Sequence, residues 1–153
     1  MKIRLLLVGR TERGFVSEGL AHYLERVKHS TPVEVLVLSE AGTGNAAQQA
    51  RMEEPRILAA LQPGERVVLL DERGRSLTSP QFAAHLGAWR DQSVRQVTFV
   101  IGGAYGVTEA VRQRADLVLS LSAMTFPHQL VRLLFAEQLY RAYAILGGRP
   151  YHH

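Results

Sequence analysis

The sequence predicts an α/β fold, a mostly parallel sheet flanked by helices, and three observations carry that expectation. Short continuous apolar runs recur at 3–8, 33–38, 66–70, 97–101 and 117–121, the pattern of strands covered on both faces. Segments with helical periodicity separate them, as in a layered fold built from strand–helix units. No internal repeat, low-complexity tract or shift in composition divides the chain, so residues 1–153 are expected to form one domain.

Each element has its own warrant. The first run, 3–8, ends at Gly9; Lys2 and Arg4 beside it mimic a secretion signal, but the stretch is short, lacks a small-residue cleavage site and reads better as a strand. From Phe15 to Lys28, Val16, Leu20, Tyr23, Leu24 and Val27 share one helical stripe, with Glu18, Glu25, Arg26 and Lys28 off it. Pro32 precedes the second strand. The loop 39–45 is small and polar with two glycines. A helix is expected over 46–61, with a kink at Pro55 or an effective start there, because proline removes one helical hydrogen bond. The third strand should close in a turn at Asp71-Glu72-Arg73-Gly74. Ser79-Pro80 reads as an N-cap followed by proline at the first helical position, opening a helix to about Arg90 that buries Phe82, Leu86 and Trp89. A short helix started by Thr108 joins the fourth and fifth strands. The last helix, 128–146, ends at Gly147-Gly148, where a left-handed residue is expected.

That last helix is apolar on every side: Leu130, Leu133, Leu134, Phe135, Leu139 and Tyr143 surround its axis. Such a helix must be buried. A sheet covers one side only, so a symmetric homodimer is the expected cover for the other, with a sandwich inside one subunit as the alternative.

The bulk numbers exclude several classes. A chain with 46% hydrophobic and 21% charged residues has the balance of a globular protein, and no apolar run reaches the ~18 residues of a membrane span. Absence of cysteine removes disulfides, thiol nucleophiles and thiolate metal sites, and cytoplasmic localisation is expected. The net charge of +4 permits a polyanionic partner without requiring one, and no run of like charge builds a nucleic-acid surface by itself.

Two loops carry the chemistry. Gly102-Gly103-Ala104-Tyr105-Gly106 follows a buried strand, where open α/β sheets bind ligands and where glycine lets backbone amides approach closely. A tight structural turn is the competing reading. The segment 120–128, S-L-S-A-M-T-F-P-H, alternates small polar and apolar residues, and Pro127 keeps Phe126 extended before the helix. Its backbone could hydrogen-bond an adenine edge, with Leu121, Met124 and Phe126 as apolar walls. Two such loops at neighbouring strand ends suggest a nucleoside-sized pocket.

Other motifs fail. Gly9 to Gly14 has the glycine spacing of a phosphate-binding loop but Phe15-Val16 where lysine and serine or threonine should stand. The dinucleotide fingerprint and the G-x-S-x-G elbow are missing, which weakens an oxidoreductase or a serine hydrolase. His128, His152 and His153 have no ligand partner at helical spacing, so no metal is expected. Glu137 and Arg141 form an i, i+4 pair. Arg132 projects away from them, and in its apolar surroundings it calls for an anion.

The motifs L-L-D-E-R-G at 69–74, F-V-I-G-G-A-Y-G at 99–106, L-S-L-S-A-M-T-F-P-H-Q-L-V-R at 119–132, E-Q-L-Y-R-A at 137–142 and P-Y-H at 150–152 closely resemble the ribosomal RNA large-subunit methyltransferase H family. Its members are small, single-domain SPOUT methyltransferases, and the similarity spans essentially the whole chain. The resemblance implies S-adenosylmethionine as cofactor and N3 of a pseudouridine in 23S ribosomal RNA of the assembled ribosome as methyl acceptor. It also implies a homodimer and a C-terminal trefoil knot. Carried over by motif, the cofactor contacts are Leu70, Gly102, Leu121, Ser122, Ala123, Met124, Thr125 and Phe126. For the proton on N3, His152 or Glu137 is the candidate base, with Arg132 and Arg141 holding phosphates or developing charge. A methyltransferase of another RNA such as tRNA, and a non-catalytic ribosome-associated nucleotide-binding protein, are the competing functions.

Overall fold

The computed structural model describes residues 1–153 and contains five strands and five helices. In chain order they are β1 (Lys2–Val8), α1 (Phe15–Val27), β2 (Val33–Leu38), α2 (Ala46–Ala60), β3 (Arg66–Ser76), α3 (Ser79–Asp91), β4 (Gln96–Ile101), α4 (Glu109–Arg114), β5 (Leu117–Ser120) and α5 (His128–Leu146). The strands form one parallel sheet in the order β2-β1-β4-β3-β5.

Alternation along each strand explains the two layers. In β1, Ile3, Leu5 and Leu7 point to a core built with α1, α3 and α5, while Leu6 and Val8 point to a smaller core with Ile57 of α2 and Val111 of α4. In the larger core the Phe99 ring lies 4.7 Å from that of Phe135 of α5, tilted by 45°, and Phe82 of α3 meets both rings edge-on.

Three local expectations are corrected. The helix α2 already begins at Ala46, nine residues ahead of Pro55, and is closed at its start by a reciprocal capping box between Asn45 and Gln48. Pro55 and Arg51, whose carbonyl it cannot serve, are both exposed, so water can take that bond. The cap of α3 is Thr78, paired reciprocally with Gln81, and Pro80 follows one position later than expected.

The third correction matters for the site. Residues 71–74 do not end β3; they bulge out of it, and the strand resumes. Leu70 and Arg75 both lie opposite Leu119, and Ser76 pairs with Ser120. Asp71 turns the chain by accepting the Arg73 amide at 2.8 Å. Gly74 lets it return: a Cβ there would stand 2.5 Å from the Val118 carbonyl oxygen.

Helix α5 is sandwiched between α1 and α3 on the sheet, so much of its cover comes from its own chain. A stripe comprising Leu130, Leu134, Glu137, Arg141 and Ile145 stays half-buried on its outer side. Past Gly147, Gly148 takes the left-handed conformation, φ 66°.

Candidate active site

The bulge in β3 and the C-terminal ends of β4 and β5 open into a cleft of about 550 Å³, the crevice where parallel sheets hold ligands. Three segments wall it: the 70–73 bulge, the 101–107 glycine loop and the 119–126 loop running into His128 and Val131 of α5. Of the residues expected to hold a cofactor, Leu70, Gly102, Leu121, Ser122, Met124, Thr125 and Phe126 line this cleft together. Ala123 is exposed and outside the lining.

The glycine loop is packed against itself. Gly106, φ 76°, donates its amide to the Gly103 carbonyl at 3.1 Å. A Cβ on Gly102 would approach Val107 Cγ1 to 2.9 Å and the Gly106 carbonyl to 3.4 Å. Below it, Glu53 of α2 is buried, accepts the Ala41 amide at 2.9 Å and lies against Gly103.

The 121–126 loop is different. Ser122 Oγ accepts the Met124 amide at 3.0 Å, and Ser120 Oγ donates to the Ser122 carbonyl at 2.8 Å. The amides of Leu121, Ser122, Ala123, Thr125 and Phe126 donate to no group of the chain. Free main-chain donors between apolar side chains suit the polar edge and flat faces of an adenine. The residues present therefore fit an adenosine-bearing cofactor.

Across the cleft, the bulge is held electrostatically. Asp71 accepts Arg112 Nη2 at 2.6 Å. Burial pushes the Asp71 carboxyl up, but the Arg73 amide and the Arg112 guanidinium together hold it below the usual aspartate range. Thr125 donates to Glu72 Oε2 at 2.5 Å, joining the bulge to the opposite loop.

The expected catalytic residues divide. Glu137, Arg141 and His152 form one cluster with Tyr151. Glu137 Oε1 accepts Arg141 Nη2 at 2.5 Å and the Tyr151 hydroxyl at 3.0 Å, while Oε2 accepts Gln138 at 2.9 Å. Arg141 also lies over the Tyr151 ring at 4.7 Å. Its hydrogen bond to Glu137 raises its pKa further. Burial first, then the Tyr23 hydroxyl and the Glu137 carboxylate, push the Tyr151 phenol well above tyrosine's ordinary value, so it stays protonated. Arg141 Nη1 stands 3.2 Å from His152 Nδ1. Guanidinium has only donors, so Nδ1 is the acceptor and Nε2 carries the ring proton.

None of these four lines the cofactor-sized cleft. Arg141 is 13 positions along the helix from His128, about 20 Å at 1.5 Å per residue. Glu137 lines a second cleft of about 400 Å³ with Ser79, Phe82 and Leu134, which shares Leu119, Leu121 and Phe126 with the first.

Arg132 stands apart from both. It is fully buried, and its guanidinium donates to the Val8 carbonyl at 2.7 Å and to Thr11 Oγ1 at 2.9 Å. Burial pushes it below arginine's ordinary value, opposed by Glu40 and Glu12. The anion inferred for it is met here by a carbonyl oxygen, and the chain itself screens it from an RNA phosphate.

Sequence reasoning missed Asp71, Glu72 and Arg73, treating them as a turn, and missed His128 and Val131 as cleft residues. The acidic pair directly after an apolar strand was the available signal.

Comparison with known proteins agrees with this geometry. Residues 1–152 match the family described as "Predicted SPOUT methyltransferase". A protein of Geobacter metallireducens, named ribosomal RNA large subunit methyltransferase H, is 47% identical over 100% of this chain and 99% of its own. One of the same name from Parabacteroides distasonis is 44% identical, again over 100% of this chain and 99% of its own. Among solved structures, a probable methylase family protein from Haemophilus influenzae superposes with a TM-score of 0.54 at 11% identity, covering 95% of this chain and 66% of that longer one; this likeness concerns the fold. With a family match over nearly every residue and relatives above 40% identity along their whole length, the chain belongs to the SPOUT methyltransferases.

Proposed function

We propose that this methyltransferase uses S-adenosylmethionine to methylate N3 of a pseudouridine in 23S ribosomal RNA, acting on the assembled ribosome in the cytoplasm. The observation that carries the reading is the 121–126 loop, which leaves five amides without a partner in the chain and lines, through Leu121, Ser122, Met124, Thr125 and Phe126, a cleft shared with Leu70 and Gly102. The names of the full-length relatives support the ribosomal substrate. No helix is long and apolar enough to cross a membrane.

Bound there, the cofactor supplies a methyl group already activated on a sulfonium. The loops hold the adenosine, exclude water and orient the donor, so positioning can contribute much of the acceleration. The acceptor nitrogen must lose a proton, which we assign to His152, with Glu137 as the alternative. His152 Nδ1 becomes free to accept it when its contact with Arg141 opens; both oxygens of Glu137 are engaged, which makes it the weaker candidate. Arg141 then balances charge on the uracil oxygens.

The working form in this reading is a homodimer. One chain holds the cleft and the tail cluster apart, and the half-buried outer stripe of α5 supplies a surface through which a second copy can bring its tail to the cleft. Residues 1–153 serve as one domain, and family membership supports a C-terminal trefoil knot.

Labelled S-adenosylmethionine incubated with unmodified ribosomes, large subunits and free RNA, followed by nucleoside mapping, tests this. Label in N3-methylpseudouridine of the large-subunit RNA is expected. Label in tRNA would move the substrate; cofactor binding with no labelled RNA would leave a binding protein. Wild-type single-turnover rates in both His152→Ala and Glu137→Gln would exclude both as the base.

A further inference from the structure

The loop 9–14 between β1 and α1 lies well outside the cleft-lining residues, yet it is held more firmly than its composition requires. Two side chains at the start of α5 fix it. Gln129 accepts the Glu12 amide at 2.8 Å and donates to the Arg10 carbonyl at 2.9 Å. One turn on, Arg132 donates to Thr11 and to Val8, and its Nε is buried without a partner. Gln129 is itself buried and directly follows His128, which lines the cleft. The loop is thereby tied to the first turns of α5, the helix that begins at the cleft with His128.

What the loop shows to solvent is unusual for so constrained a segment. Arg10 and Arg13 are exposed and engage no carboxylate, a state they share with Arg51, Arg75 and Arg95, but here the two stand within a segment fixed by buried side chains. Glu12, between them, acts on the buried Arg132. Gly14 adopts φ 110° and ψ −144°, a backbone state that side chains rarely allow. Its carbonyl opens α1 by accepting the Glu18 amide. This geometry sets Phe15 on the first helical position, where it is 73% exposed. An exposed aromatic ring on a segment that also carries two guanidiniums without carboxylate partners is a combination that recognises unpaired nucleotides, by stacking on the base and neutralising the backbone.

We infer that residues 10–15 form the RNA-docking lip of the site, with Phe15 stacking on an unpaired base of the substrate loop and Arg10 and Arg13 taking its phosphates. The inference rests on the reading of the chain as an RNA methyltransferase. Gln129 and Arg132 are positioning residues in it: they present the lip in one geometry, so little ordering cost is left for the moment of binding.

The test measures steady-state methylation of unmodified ribosomes or large subunits by the full-length protein, with cofactor affinity by calorimetry and mass by light scattering. Phe15→Leu should raise KM for the RNA substrate about tenfold with kcat and cofactor affinity unchanged, and Phe15→Trp should restore it. Removing both arginines should make the logarithm of KM less steep against the logarithm of salt by between about 1 and 2. Unchanged KM and salt slope in active variants would overturn the inference. A loss of dimer mass in Phe15→Leu would overturn it too, by making this patch a subunit contact. If the wild type methylates no form of the RNA, the parent reading fails, and that outcome is distinguished by the wild-type control alone.

Discussion

The two loops that meet at the cleft are built on opposite plans. The 102–107 loop bonds to itself, through the Gly106 amide and the contact of Gly102 with Val107. The 121–126 loop makes one internal amide bond, to Ser122 Oγ, and leaves five donors free. The first is a shaped wall and the second a reading edge, and each should fail in its own way. A glycine-rich loop beside a ligand cleft is often taken to hold the ligand through its amides, but here its glycines are needed to let the loop close.

The largest expected effect breaks the wall. Gly102→Val places a branched side chain where even Cβ comes 2.9 Å from Val107, and overpacking of this kind costs about 1–3 kcal/mol. Cofactor affinity by calorimetry should fall up to about a hundredfold, with the mass in solution unchanged. Unaltered affinity would show that the wall does not shape the cleft.

A smaller effect should follow on the reading edge. Ser122→Ala removes the acceptor that fixes Met124, and one such bond contributes about 0.5–1.5 kcal/mol. A loss of roughly fivefold in affinity is expected, without change in thermal stability. If stability falls and affinity does not, the loop is scaffold like its neighbour.

The smallest effect concerns the bulge facing both loops. The folded-state pKa of Asp71 lies below its unfolded value. Its contribution is therefore fully present above the ordinary aspartate value of about 3.9 and is lost as pH falls through the folded value. Chemical denaturation as a function of pH should show a decline below about pH 4 that Arg112→Met makes shallower. Parallel curves would remove that ion pair from the account of the bulge.

Much of the framework was legible because its signals are local. Pattern and turn signals placed all ten elements, with most bounds within one residue but β3 running six residues past its expected end, and the strand-loop-helix pattern at 117–128 pointed to the cleft. What was not legible depends on distant partners. The bulge at 71–74 reads as a turn until β5 lies alongside and continues the pairing beyond Arg75. Arg132 reads as an anion site because its true acceptor, Val8, lies 124 positions away. The lip at 10–15 reads as a failed phosphate loop, since nothing nearby announces that Gln129 will hold it. In α5, apolar residues all round announced burial correctly, but they could not divide the cover between α1, α3 and a second copy.

The bonds from Gln129 and Arg132 to residues 8–12 have a consequence for the order in which the surface comes into being. Both side chains belong to α5. During synthesis the N-terminal loop emerges early, but its ties do not exist until α5 has emerged and docked. The face assigned to RNA thus takes its fixed geometry only once α5 has docked against β1 and the loop that follows it.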